Sequence, residues 1–535
     1  MAEHETGRFH GADFRLLAGS LAVAAFFVLL LCFVFGARWE TNDDVAMSMV
    51  AHGYGVAAFG TPNIIFSNVL WGYLVRAIPS IDGTPGYSVA ALAVLIIAGT
   101  MLLFGLYKLH AGLLAPICAL VLLMARPVLF PQFTINAGLL VVAAIICVRL
   151  FDLENDGKAL FAGCLLAFAG WLVRRNEFLL LLLVALPLIP WRNLYRRRSF
   201  QVSILALAAA MALSWVVDNR AYQDRKWAPF NALNAVRAPF NDFGADEYLK
   251  KRPEILARYG FSANDLDLIR EWFFVDPKVA SPEALGGMLA ELGPLPSQHD
   301  AMAKGWAGIQ MLWDLELLPV VSAGVLLAIL RPGWQVAASW GLFIGAVFAM
   351  GLSGRPGITR VYIPLVSLLV IAPFLAGQAG NLRKQFATYV LLLAAVLNIS
   401  LAGAESKTVQ ASARQIREGL AGFPHVRVII WGIGFPLEDV YPVLGVSSSA
   451  MSYRFYGLGA FTLAPFSVAY EESGQGRGMT DLLVQETGAP IIANDKCLRY
   501  LAIYCKEHLH GELKELSAQR YGEVSVSWRR CDAGQ

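Results

Sequence analysis

Apolar runs long enough to cross a lipid bilayer recur along this chain, and they leave few choices of fold. A span needs about 20 apolar residues, because a helix rises 1.5 Å per residue and the hydrocarbon core is about 30 Å thick. Backbone amides in hydrocarbon must be paired inside their own segment, so such runs read as helices. About eleven are read, near 14–36, 87–107, 111–127, 135–151, 158–173, 177–190, 200–217, 306–330, 334–352, 358–377 and 384–402. Their ends are placed to within about 2–4 residues. Only 16% of the 535 residues are charged and 57% are hydrophobic, against roughly 25% charged in a soluble domain. The expected fold is a polytopic α-helical membrane protein.

The first run is longer than a signal-peptide core, lacks a small-x-small cleavage site and precedes many more spans, so it reads as retained. A net charge of +3, with no basic cluster interleaved with aromatics, points away from a nucleic-acid partner. Basic residues favour cytoplasmic loops. With the N-terminus inside, the inner loops hold ten of them, among them Lys108, Arg149 and the cluster Arg196-Arg197-Arg198, and the outer loops hold five. The segment Asn63 to Ile78 is apolar but short, carries Asn68 and Arg76, and ends at Pro79. It reads as an interfacial helix, because a crossing there would invert every later loop. The expected topology has the N-terminus cytoplasmic and loop 38–86 on the outer side.

Two large polar segments share that side. One is 218–305, amphipathic and punctuated by Trp227-Ala228-Pro229-Phe230 and Ala238-Pro239-Phe240. The other, 403–535, alternates strand and helix patterns. Val426–Ile430, Pro490–Ala493 and Val524–Trp528 read as strands, and Ser406–Leu420 and Leu498–Leu509 as helices. A small α/β domain is expected there, on the outer side, after a membrane module over 1–402. Gly432-Ile433-Gly434 lacks the third glycine and the βαβ context of a dinucleotide loop, so a tight turn is expected. Cys497 and Cys505 would stand about 12 Å apart on one helix, beyond the roughly 6.8 Å limit of a disulfide. A bridge from Cys531 to one of the two is expected, and the spacing does not choose which.

The outer end of the first span carries Trp39-Glu40-Thr41-Asn42-Asp43-Asp44. Paired carboxylates at a bilayer edge are expensive and point to function. The competing structural reading is a cap, Asn42 or Asp43, on a helix starting near Val45. Arg126, Arg174, Arg175, Arg355 and Arg360 also fall at outer span ends, with Glu177 and Tyr362 beside them. A guanidinium fork matches phosphate oxygens. Any one of these arginines is accounted for by snorkelling to headgroups. The set, together with the acid pair, suits an anionic lipid phosphate.

A first span, then Asn42-Asp43-Asp44, then two interfacial helices resembles the GT-C superfamily of membrane glycosyltransferases, which use polyprenyl-phosphate sugars. The resemblance runs through Gly60-Thr61-Pro62, Phe66-Ser67-Asn68, Pro79-Ser80, Phe133-Thr134 and Arg174 to Glu177, and covers about 1–402. It implies that 1–402 is a catalytic module performing an inverting transfer from a polyprenyl-phosphate sugar to a glycan, glycolipid or protein acceptor of the cell envelope, and, with the topology, a bacterial inner membrane with the α/β domain periplasmic. The first acid, Asp43, is then the general base. Asp44 orients it, binds acceptor hydroxyls or helps hold a metal. Arg174, Arg175, Arg355, Arg360 and Tyr362 are expected to bind the donor, with Arg126 and Asn68 also on the substrate side and Glu177 orienting an arginine. His52, His299 and His425 are scattered, so no metal and no cofactor beyond the lipid-linked donor is expected. Two rival readings are a transporter or flippase of a lipid-linked sugar, and a membrane sensor or assembly protein. The first would place charges near mid-membrane. The second leaves the acid pair and arginines without a task.

Overall fold

The computed structural model describes residues 2–295, 301–377, 381–432 and 434–533. The chain divides into two compact units. One comprises Met1–Asp44, Ile65–Val217 and Asp300–Gln410, the other Val45–Ile64, Asp218–His299 and Ala411–Gln535.

The first unit is a helical bundle. Its opening helices are α1 (Ala2–Phe35), the start of α2 (Asn42–His52), α3 (Val69–Ala77), α4 (Gly86–Lys108), α5 (Ala115–Leu129), α6 (Phe133–Glu154), α7 (Gly157–Val173) and α8 (Arg175–Ala185). Every residue of α6 from Phe133 to Cys147 is buried, as expected of a helix that is apolar all round. Its neighbours approach closely because glycine sits at the contacts. A methyl group at Gly138 would stand 2.3 Å from Pro364 of the helix Thr359–Leu375, and one at Gly105 of α4 would stand 2.1 Å from Ile146.

A helix occupies each of the eleven predicted runs. Among the described residues six are long and apolar enough to cross a membrane: Ala12–Phe35, α4, α6, Arg198–Ala221, Trp334–Leu352 and Lys384–Gly419. The protein is a multi-pass membrane protein. The run 306–330 departs from expectation: it breaks into Ala301–Trp313 and Leu318–Leu330, bent by 90°. Asp314 and Pro319 flank the break; Pro cannot continue the preceding hydrogen-bond ladder. Helices α5, α7 and Thr359–Leu375 are apolar but shorter than a full span. Helix α3 has nine residues, roughly 13 Å, too short to cross.

The second unit holds a five-stranded sheet in the order β2-β1-β3-β5-β4. Its strands are β1 (Val428–Trp431), β2 (Phe455–Leu458), β3 (Ala489–Ile492), β4 (Gly511–Tyr521) and β5 (Val524–Ala533). β1 runs parallel to β2 and β3, and β5 antiparallel to β3 and β4. Three of the five were expected from sequence. The polar segment after Asp218 is not a separate loop. Phe240, Leu268 and Phe273 join Trp431, Ile491 and Leu501 in one core, and the Trp431 indole donates to Glu271 O at 2.6 Å. Part of the first polar loop belongs here as well, since Gly55 O accepts the Phe455 amide and Val56 O the Val468 amide, each at 3.0 Å.

The expected boundary between 402 and 403 lies inside one continuous helix, Asn381–Gly419. Gly432 follows β1 with φ +69°, a turn conformation that suits glycine; Ile433 lies outside the described residues, as does His299. Cys505 bridges Cys531 with 5.6 Å between Cα atoms, tying the helix Asp495–His508 to β5, and Cys497 is a buried free thiol.

Candidate active site

Helix α2 begins at Asn42, three residues earlier than the capping reading expects, so Asp43 and Asp44 both fall in its first turn. Carboxylates are favoured there, because unpaired amides give that end a partial positive charge. Consecutive helical residues point about 100° apart, and the two acids meet different surroundings.

Asp44 is 1% exposed. Its Oδ1 accepts the Tyr87 hydroxyl at 2.9 Å and the Phe133 amide at 3.0 Å, and its Oδ2 accepts the Thr41 hydroxyl at 3.4 Å. The first turns of α4 and α6 thus hold it in place. Burial pushes its carboxyl well above the usual range, and the Tyr87 and Phe133 bonds oppose that rise. With these bonds made, Asp44 is a fixed post rather than a mobile base.

Asp43 is only half-buried. Burial raises its pKa, and Arg360 and Arg174 pull it back. Arg174 in turn feels Asp43, Arg360, Glu177 and Arg355. These five side chains form one electrostatic cluster. Arg174 is well braced. It donates to Phe66 O at 3.1 Å, and its guanidinium lies 5.2 Å from the Phe133 ring and 5.9 Å from the Phe66 ring. Those rings stack on each other at 6.1 Å. Cation–π contacts of this kind fix a guanidinium's plane while leaving donors to be used. Glu177 is 2% exposed, and its Oε1 has no hydrogen-bond partner among the described residues.

Three of the residues expected to bind substrate have structural partners of their own, and a fourth is exposed. Arg126 is 5% exposed and meets three carboxylates, Glu405 at 2.6 Å, Glu316 at 3.0 Å and Glu40 at 3.7 Å. These carboxylates surround the guanidinium and make it a structural node of the bundle. Asn68 caps α3 by accepting the Leu70 amide at 2.9 Å, while its amide nitrogen donates to Ser214 O at 3.0 Å. Tyr362 is fully buried, and its hydroxyl accepts the Gly357 amide at 3.2 Å. It shapes the turn that carries Arg355 instead of reaching outward. Arg175 is exposed, one residue beyond the Arg174 that joins the cluster.

Sequence reasoning missed Tyr87, Thr41 and Glu40. Tyr87 had a signal, being the polar residue that opens a span directly after Pro85-Gly86. Among the described residues one group of His and acidic side chains is close enough to share a metal ion, Asp265, Glu507 and His508 in the second unit. Each already has a structural partner. Asp265 completes a capping box with Ser262 and meets His508 at 2.8 Å, and Glu507 accepts from the Ser262 hydroxyl at 2.8 Å.

No family model matches the chain, and no curated protein matches it. Among solved structures it is similar to the crystal structure of ArnT from Cupriavidus metallidurans bound to undecaprenyl phosphate. The identity is 12%, the match spans 98% of this chain and 99% of that one, and the TM-score is 0.39. A likeness this distant leaves substrate and chemistry to be read from the residues themselves.

Proposed function

We propose that this protein is an inverting glycosyltransferase that takes a sugar from a polyprenyl-phosphate donor at one face of the membrane. The observation that carries the reading is a half-buried Asp43 within electrostatic reach of Arg174 and Arg360 at a bundle end, beside an Asp44 held by Tyr87 and Phe133. In this reading the acceptor hydroxyl oxygen attacks the anomeric carbon and its proton passes to Asp43. The bond from that carbon to the phosphate oxygen breaks on the opposite side, and its electron pair stays on the lipid phosphate. The anomeric centre inverts. Since the leaving group is already a stable anion, it needs positive charge rather than a proton donor, and preorganised guanidinium groups in a partly dry site supply it. Arg174, Arg360 and Arg355 take that part. Asp44 acts through position, holding the first turn of α2. The acceptor is a glycan, glycolipid or protein of the envelope.

The 90° break between Ala301–Trp313 and Leu318–Leu330 is a feature shared with transporters. Its Glu316, however, is bound to Arg126 at 3.0 Å. The test uses purified protein in vesicles holding a polyprenyl-phosphate sugar. Release of lipid phosphate that requires an acceptor supports the transferase, and Asp43→Asn should lower it by about 10²–10⁴-fold, the usual contribution of a general base. Acceptor-independent movement of the intact donor between leaflets, unchanged in Asp43→Asn, would replace it with the flippase.

A further inference from the structure

A cavity of about 290 Å³ lies in the first unit at the opposite end of α1, α4 and α6 from the acid pair. Asp44 meets the first turns of α4 and α6, through Tyr87 and Phe133. The cavity is bounded by the last two turns of α4 and α6 and by the start of the α1 span and of α7. The 23 residues of α4 separate the two places by roughly 30 Å. The volume is at the lower end of small-molecule sites, roughly 300–1,000 Å³.

The lining changes character with depth. Phe14, Leu17, Phe104 and Leu150 form apolar wall. Asp13, Glu154, Asp156 and Lys158 stand where the spans end. Lys108, outside the lining itself, ion-pairs with two of them, its Nζ 2.9 Å from both Asp13 and Glu154. An ammonium has three donors, so one remains for another acceptor. Carboxylates outnumber ammonium groups here by three to two. A wholly anionic headgroup would meet that excess, whereas a zwitterion can set its cation on the carboxylates and its phosphate on the lysines. The apolar depth then takes part of an acyl chain, as bilayer-facing surface does.

We propose that this cavity binds one zwitterionic aminophospholipid from the leaflet opposite the acid pair. Its ammonium lies at Asp13 and Glu154, its phosphate at Lys108 and Lys158, and an acyl segment runs against Leu17 and Phe104. This site is independent of the transferase reading. The test is native mass spectrometry of the full chain, released from detergent after titration with phosphatidylethanolamine or phosphatidylglycerol of matched chains. One phosphatidylethanolamine per chain is expected, retained about fivefold over phosphatidylglycerol, the effect of about one interfacial charge. Leu17→Trp should abolish the adduct by filling the wall. Lys158→Glu, at an exposed position that leaves the core untouched, changes the local charge by two, should lower retention about thirtyfold, and decides the matter if Leu17→Trp does not fold. Equal retention of the two lipids, or retention unchanged in Lys158→Glu, overturns the proposal.

Discussion

The Tyr87 hydroxyl and the Phe133 amide converge on a single oxygen, Oδ1 of Asp44, at 2.9 and 3.0 Å. Three chain segments, 44 to 133, are thereby locked around the start of α2. The acid next door, Asp43, inherits its position from that lock. A buried carboxylate needs such partners, since an unpaired one is costly.

Tyr87→Phe removes one of the two bonds and keeps the ring, which packs on Trp39 at 5.5 Å. A buried hydrogen bond of this kind contributes about 0.5–1.5 kcal/mol. The variant should therefore melt at lower temperature, and kcat should fall while donor KM holds, because Asp43 is displaced rather than the donor site emptied. Thermal unfolding in detergent together with initial rates checks this. An unaltered melting temperature and rate would make the Asp44 lock irrelevant to turnover.

A pH profile separates a base from a bystander. Burial raises the Asp43 pKa, and Arg360 is the larger of the two charges lowering it. A base works ionised, so kcat/KM should fall as pH drops through the Asp43 pKa, above the usual carboxylate range. Arg360→Gln removes an opposing charge. The acid limb should then move to higher pH, and Arg360→Lys should return it towards the wild-type position. A limb that stays put in Arg360→Gln would take the base assignment away from Asp43.

Much of this arrangement could be read before any coordinates, and the limits have physical causes. Asp43, Arg174, Glu177 and Arg360 stand out in the sequence because charges at span ends are costly. Arg126 carried the same signal, but its partners Glu40, Glu316 and Glu405 lie up to 279 residues away, and no local pattern reports such pairing. Tyr362 and Asn68 face polar backbone groups inside the bundle, which spacing alone does not distinguish from facing a substrate. Strand β4 escaped because it is an edge strand exposed on both faces, so it has no alternation of apolar and polar residues to show. The helix Asn381–Gly419 hid the domain boundary, because its pattern turns from apolar to polar without a break in the backbone.

The Arg126 node predicts stability effects without substrate effects. Removing the guanidinium leaves Glu40, Glu316 and Glu405 facing one another. Breaking a fully buried pair costs about 3–5 kcal/mol. Glu316 and Glu405 are about 40% exposed, so solvent screening reduces this to about 1–3 kcal/mol. Arg126→Ala should lower the melting temperature while leaving donor KM within about twofold, since no phosphate contact is lost. A large rise in donor KM with normal stability would return Arg126 to the substrate site.

Glu40 makes stability of the same node depend on pH. Burial raises its carboxyl from an ordinary value of 4.5 to about 7, with Arg126 opposing and Glu316 and Glu405 adding to the rise. Arg38 also pulls it down. Because the folded pKa lies above the unfolded one, the folded chain holds more protons between pH 4.5 and about 7. Stability therefore falls as pH rises through that window and levels off above it. Glu40→Gln keeps the shape and stays neutral throughout, so it should flatten this part of the curve and be at least as stable as wild type at pH 8. Melting temperatures of both proteins between pH 5 and 8 decide it. Parallel curves for the two would show that Glu40 does not titrate there, and that Arg126 holds all three carboxylates ionised.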